Sequence, residues 1–116
     1  MCLLYGEAGA GPAPGSAEFG QMLAEFGSAT EAMAAAGVLV DSSPLQPVQN
    51  ATTVRIRAGE LLLSDGPFAE VKEQLGGYFL LDCEDLDAAV GWMSRVPSAR
   101  YGSIEVRPLM VMEMPR

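Results

Sequence analysis

The chain contains no histidine, and that absence excludes more chemistry than any other feature of its composition. Histidine is the commonest general base near neutral pH and the commonest nitrogen ligand for metals. Ser-His-Asp and Cys-His nucleophilic catalysis are therefore excluded. Cysteine is scarce too: Cys2 and Cys83 alone supply neither a zinc ligand set nor a disulfide framework. Both sit in apolar runs and read as buried, reduced thiols, or as a redox pair if the fold makes them neighbours. Any acid–base chemistry must fall to Asp, Glu, Lys, Tyr or Arg.

Positive charge is also thin. Seven Lys and Arg face fifteen Asp and Glu, for a net charge of −8. Residues 1–54 carry Glu7, Glu18, Glu25, Glu31 and Asp41 and no basic side chain. Nucleic acids and anionic membranes require basic patches, so neither is an expected partner. No apolar run approaches the roughly 20 residues that span a bilayer. Met1–Gly6 has neither the basic start nor the apolar stretch of a signal peptide. The expected location is cytoplasmic. Nothing resembles a nucleotide, flavin, haem or metal motif, and no cofactor is expected. The glycines of Gly6–Gly15 lack the strand-to-helix spacing of a dinucleotide fingerprint. They read as a flexible loop or a lid.

What is present makes one expected domain, residues 1–116, with 49% hydrophobic residues for a core. Cys2–Tyr5 reads as a short strand. Ser16 can cap a helix reaching about Ala36, with Phe19, Met22, Leu23, Phe26, Ala29 and Met33 on one apolar face and Gly37 ending it. Val38–Val40 opens a strand. Thr52–Arg57 alternates, Ala58-Gly59 turns the chain, and Leu61–Leu63 returns it as a hairpin. Gly77–Cys83 is apolar enough for a central strand buried on both faces. Asp85 caps a second helix whose apolar face is Leu86, Ala89, Val90 and Met93, with Trp92 beside it and an end before Pro97. Ser103–Met112 is the last strand, with Ser103, Glu105 and Arg107 on one side, and the final residues are expected to fray.

The order β-α-β-(hairpin)-β-α-β predicts an α+β, ferredoxin-like sandwich with two helices on one face of an antiparallel sheet. The other face would carry apolar residues from both central strands. A second copy of the chain would cover it.

The run Ser64–Tyr78 stands out between two apolar segments. Asp65-Gly66-Pro67 is turn chemistry, because Asp bonds its own backbone, Gly admits positive φ and Pro fixes φ. The link is longer than a hairpin needs and carries Glu70, Lys72, Glu73 and Gln74, as binding loops on rigid scaffolds do. The same stretch, DGPFAE-x-KEQLGGY, resembles the motif of the YCII-related (DGPF-domain) proteins. Ala36–Val40, Leu45-Gln46-Pro47, Ala51–Arg57 and Gly102–Pro108 agree in order, so the resemblance covers nearly the whole chain. It implies a dimeric α+β barrel in which two ferredoxin-like sheets, each with the inserted hairpin, pack face to face. A His-Asp pair attributed to some such relatives does not carry over to a chain without histidine.

The residues nominate Asp65, Lys72 and Tyr78 for catalysis: Asp65 as base, Lys72 to hold it ionised, Tyr78 to orient or protonate. Glu70, Glu73, Tyr101 and Arg107 are nominated for substrate binding. Each has a structural alternative: Asp65 in the turn, Lys72 and Glu73 in solvent, Tyr78 and Tyr101 in packing, Arg107 paired with Glu105. Two functions stay open. One is a cofactor-independent enzyme on a small organic molecule, working by proton abstraction, elimination, isomerisation or cyclisation. The other is a non-catalytic metabolite-binding or regulatory protein. The resemblance points to a protein partner in that case, since such chains are often encoded beside extracytoplasmic-function sigma factors.

Overall fold

Two helix caps written in the sequence set the frame. In the computed structural model, which describes residues 1–113, the Ser16 hydroxyl oxygen accepts the Phe19 N–H at 3.1 Å and starts α1 (Ala17–Ala35). The Asp85 carboxylate accepts the Ala88 N–H at 2.8 Å and starts α2 (Leu86–Met93). Each bond satisfies one of the donors that a helix N-terminus leaves without a partner. α1 ends where the Val38 N–H reaches back to the Met33 carbonyl, turning the chain into β2.

The strands are β1 (Cys2–Glu7), β2 (Leu39–Pro44), β3 (Thr52–Arg57), β4 (Glu60–Asp65), β5 (Glu73–Leu81) and β6 (Ser103–Val106). A short α3 (Ser98–Tyr101) precedes β6, and a single 3-10 turn occupies Val48–Asn50. Four strands form one antiparallel sheet in the order β2-β5-β1-β6. This mixed α+β arrangement is consistent with a ferredoxin-like fold. The hairpin β3-β4 is inserted between β2 and β5 as a separate two-stranded ribbon.

Register fixes the two faces of the sheet. Cys2 pairs with Phe79 and Val106, and Leu4 with Gly77 and Ile104. Cys2, Leu4 and Phe79 are buried beneath the helices with Ala29, Met33, Met93 and Val96. One residue along, Leu3 pairs with Tyr78 and Glu105, and Tyr78 with Ser43. Side chains alternate along a strand, so Leu3, Tyr5, Tyr78 and Leu80 share the opposite, helix-free face. All four are only half-buried.

Several expectations need correction. β5 begins at Glu73 rather than Gly77, because Glu73, Gln74 and Leu75 pair with Glu7, Gly6 and Tyr5 of β1. The polar link thereby shrinks to residues 66–72. β5 is central, but in the single chain it is buried on one face only. The last strand stops at Val106 instead of continuing to Met112. Arg107 still bonds Met1 through both backbone groups, and Pro108 then has no N–H to offer. Leu86 and Val90, expected in the core, are exposed; α2 buries Ala89 and Met93 and packs a partly buried Trp92 against the core. α3 was not anticipated. The expected fraying of the last residues concerns 114–116, outside the described residues.

Cys2 is buried and Cys83 half-buried, both as free thiols. Burial pushes the Cys2 thiol up; the N-terminal ammonium opposes this, and Cys83 is near enough to add to the rise. The Cys83 thiol is also raised, by burial first and then by Asp82 and Asp85. Both therefore stay protonated near neutral pH, a form of low nucleophilicity.

Candidate functional site

Two clefts open where β1, β5 and the loops diverge. The first, about 840 Å³, lies between α1 and the sheet. α1 supplies Met22, Leu23 and Phe26; the segment after β2 supplies Leu45, Pro47 and Val48; Leu75 and Tyr101 close it from β5 and α3. The helical spacing that builds the core face also points Met22, Leu23 and Phe26 along it, beyond the reach of the strands. Tyr101 is held there by its neighbour. The Arg100 guanidinium lies 5.5 Å from the ring centre and bonds the Glu25 carboxylate at 2.6 Å. The glycine-rich loop reaches the same place: an added Cβ on Gly11 would sit 3.3 Å from the Tyr101 ring.

The second cleft, about 1100 Å³, is walled by Phe68, Ala69, Glu70 and Val71 of the polar loop and by Glu73 to Leu75 of β5. Tyr5, Ser103 and Glu105 line its sheet side, and Gln49 and Thr52 its outer side. Leu45, Gln46, Val48, Gln74 and Leu75 line both clefts. The loop is held at its base by β3. The Gly66 N–H donates to the Ala51 carbonyl at 2.7 Å, and the Thr53 hydroxyl donates to the Gly66 carbonyl at 2.8 Å. The Arg55 guanidinium donates to the Phe68 carbonyl at 3.3 Å.

The nominated residues divide among these places. Glu70 and Glu73 line the second cleft, and the Ser103 hydroxyl points at Glu73, 3.4 Å from its carboxylate. Tyr101 lines the first, which Tyr78 borders from β5 while its phenol lies on the helix-free face. Asp65 ends β4 opposite Thr52, exposed and on the wall of neither cleft. Lys72 is likewise exposed, and the proposed Asp65–Lys72 ion pair does not form. The six residues between them turn the chain from hairpin to sheet. Arg107 instead pairs with Glu105 at 3.6 Å on the sheet surface. Among the described residues no group of His, Cys, Asp and Glu is placed to hold a metal ion. No helix among them is long and apolar enough to cross a membrane.

Asp41 was missed. The Tyr78 hydroxyl donates to its carboxylate at 2.9 Å across the helix-free face, while the other carboxylate oxygen accepts the Ser42 N–H. The partners are 37 positions apart, and only the register of β2 on β5 joins them. The bond to Asp41 holds the Tyr78 phenol above the ordinary tyrosine range. A raised folded-state value means this contribution to stability is present at neutral pH and is lost as the pH rises through it. In an alkaline ultraviolet titration, Asp41→Asn is expected to lower the midpoint of one tyrosine, and Tyr78→Phe to remove that tyrosine. An unchanged titration in Asp41→Asn would refute the pair.

The YCII-related domain family matches residues 2–113, nearly the full length of the chain. The chain belongs to the YCII-related family. A curated relative, an uncharacterised protein of Rhizobium meliloti (strain 1021), is 47% identical over 76 residues. That match covers 64% of this chain and 61% of the relative.

Proposed function

We propose that this YCII-related chain works as a homodimer that holds a small, mostly apolar organic molecule. The observation that carries the reading is the first cleft. Its volume lies in the range of ligand sites, and its walls are aliphatic and aromatic with a few convergent polar groups. The helix-free face bearing Leu3, Tyr5, Tyr78 and Leu80 is where a second sheet would pack to complete a dimeric α+β barrel. Any proton transfer on the bound molecule falls to a carboxylate or a tyrosine, the titratable side chains that line the first cleft. Of the residues that the sequence nominates for catalysis, Tyr78 borders the first cleft and Asp65 and Lys72 border neither. Glu73 stands on the adjoining second cleft beside Gln74 and Leu75, which belong to both.

The test is a fluorescence titration with N-phenyl-1-naphthylamine, a neutral apolar probe, alongside native mass spectrometry for bound mass. Leu23 is exposed and lines the first cleft, so Leu23→Asp should leave the fold intact. It is expected to weaken the probe at least about tenfold, the worth of one buried leucine contact. Probe binding that is absent, or equal in both proteins, would overturn the reading.

A further inference from the structure

The two clefts adjoin, and their walls differ in chemistry. Gln46, Gln74 and Leu75 belong to both, so one elongated molecule reaches from the first into the second. The first is walled by aliphatic and aromatic groups of α1 and of the segment after β2. The second carries the carboxylates of Glu70, Glu73 and Glu105 beside Phe68 and Val71. No Lys or Arg among the described residues lines either cleft. The cations of neighbouring positions are engaged elsewhere. Arg100 bonds Glu25, and Arg55 donates to the Phe68 carbonyl. Lys72, between the two loop glutamates in sequence, is exposed and on neither wall. Glu105 has Arg107 at 3.6 Å, but Glu70 and Glu73 have no ion pair among the described residues. Phe68 stands on the same wall, 78% exposed.

We infer that the molecule held here is an amine with an apolar body: the body fills the first cleft, and the ammonium meets Glu70 and Glu73 in the second. The inference rests on the reading of the first cleft as a ligand site and adds the charge class of the ligand. An organic acid or a phosphate ester is disfavoured. Its anion would leave water for a site that offers carboxylates and no cation. A neutral molecule of the same shape gains only the apolar walls. An ammonium gains charge-assisted hydrogen bonds to the glutamates as well, and the face of an aromatic ring beside them attracts a cation. A bare metal ion would make no use of the apolar walls, and no group of ligands among the described residues is placed to hold one. Neither feature selects the ligand by itself. Carboxylates alone suit water, and apolar walls alone suit a hydrocarbon. Their succession along adjoining clefts selects a molecule with both parts.

Displacement of N-phenyl-1-naphthylamine by octylamine, 1-octanol and octanoate tests this, because the three share one apolar body. At neutral pH and low salt the amine is protonated. Octylamine is expected to bind at least about tenfold more tightly than octanol, the worth of one hydrogen bond to a charged group, and octanoate more weakly than either. Added salt should shrink the advantage of the amine. Glu70→Gln with Glu73→Gln is expected to cut it to about threefold or less. Glu84→Gln with Asp87→Asn removes the same formal charge from exposed positions outside both clefts. That pair is expected to leave the advantage within about twofold of the parent's. Each ratio is taken within one protein, so a change in stability cancels. If octylamine binds no more tightly than octanol, or the outer pair cuts the advantage as deeply as the inner one, the amine is overturned and the apolar cleft stands. If the naphthylamine itself does not bind, the cleft reading falls and the inference with it.

Discussion

Gly102→Ala is expected to destabilise the protein by about 3 kcal/mol or more, at the upper end of overpacking penalties. The cause is a single close approach. A Cβ on Gly102 would overlap the Tyr5 carbonyl oxygen and lie 3.1 Å from the Gly6 Cα. Both neighbours are backbone of β1, which is bonded to β5 on one side and β6 on the other, so neither can step aside cheaply. Thermal unfolding should show a fall of roughly 10 °C. Gly91 gives the contrast. It lies within α2, exposed, with nothing within 4 Å of an added Cβ. Gly91→Ala is expected to stabilise by about 0.5–1 kcal/mol, since glycine loses more freedom in a helix than alanine does. If the two substitutions moved the midpoint in the same direction, the close packing of Gly102 on β1 would be wrong. Gly102 also lines the first cleft, so its alanine variant should lose probe affinity together with stability.

The second large effect is expected at Met33. Its side chain is 0% exposed and packs with Cys2, Leu4, Ala29, Phe79, Met93 and Val96. α1 sends only Ala29 and Met33 fully into the core, so Met33 is its principal anchor on the sheet. Met33→Ala removes the buried thioether chain and leaves a cavity, at a cost of about 2–5 kcal/mol. Against the total stability of about 5–15 kcal/mol usual for a domain, that is a large fraction. Denaturant unfolding should show a lower midpoint with an unchanged slope. A loss below about 1 kcal/mol would mean that α1 is held chiefly by other contacts.

Much of this architecture was legible before the structure, because local chemistry alone specified it. Ser16 and Asp85 cap helices wherever a helix follows them. The alternation of Thr52–Arg57 about Ala58-Gly59 marks a ribbon; Ala58 and Gly59 both take the positive φ that a two-residue turn requires. The spacing of Ala29 and Met33 sets which side of α1 meets the sheet. Without histidine, the chemistry had to rest on carboxylates, tyrosines and a few cations, and the motif from Asp65 to Tyr78 established the family.

Pairing across the chain was not legible, and the candidate site depends on it. Nothing near Asp41 or Tyr78 announces their bond, which exists because β2 and β5 align at one register. Asp65 and Lys72 share one motif, yet the turn from ribbon to sheet separates them, and Glu73 gains its place in the second cleft by joining β5. Val106 and Leu109 look alike in sequence. Val106 still lies beside β1, whereas Leu109 follows Pro108, past the last backbone bond to Met1, and is left in solvent. Composition and periodicity determine most of the elements and the face that α1 hides. Only the tertiary structure decides which distant side chains meet, because strand register and the ends of pairing depend on contacts between segments that the chain's local order does not encode.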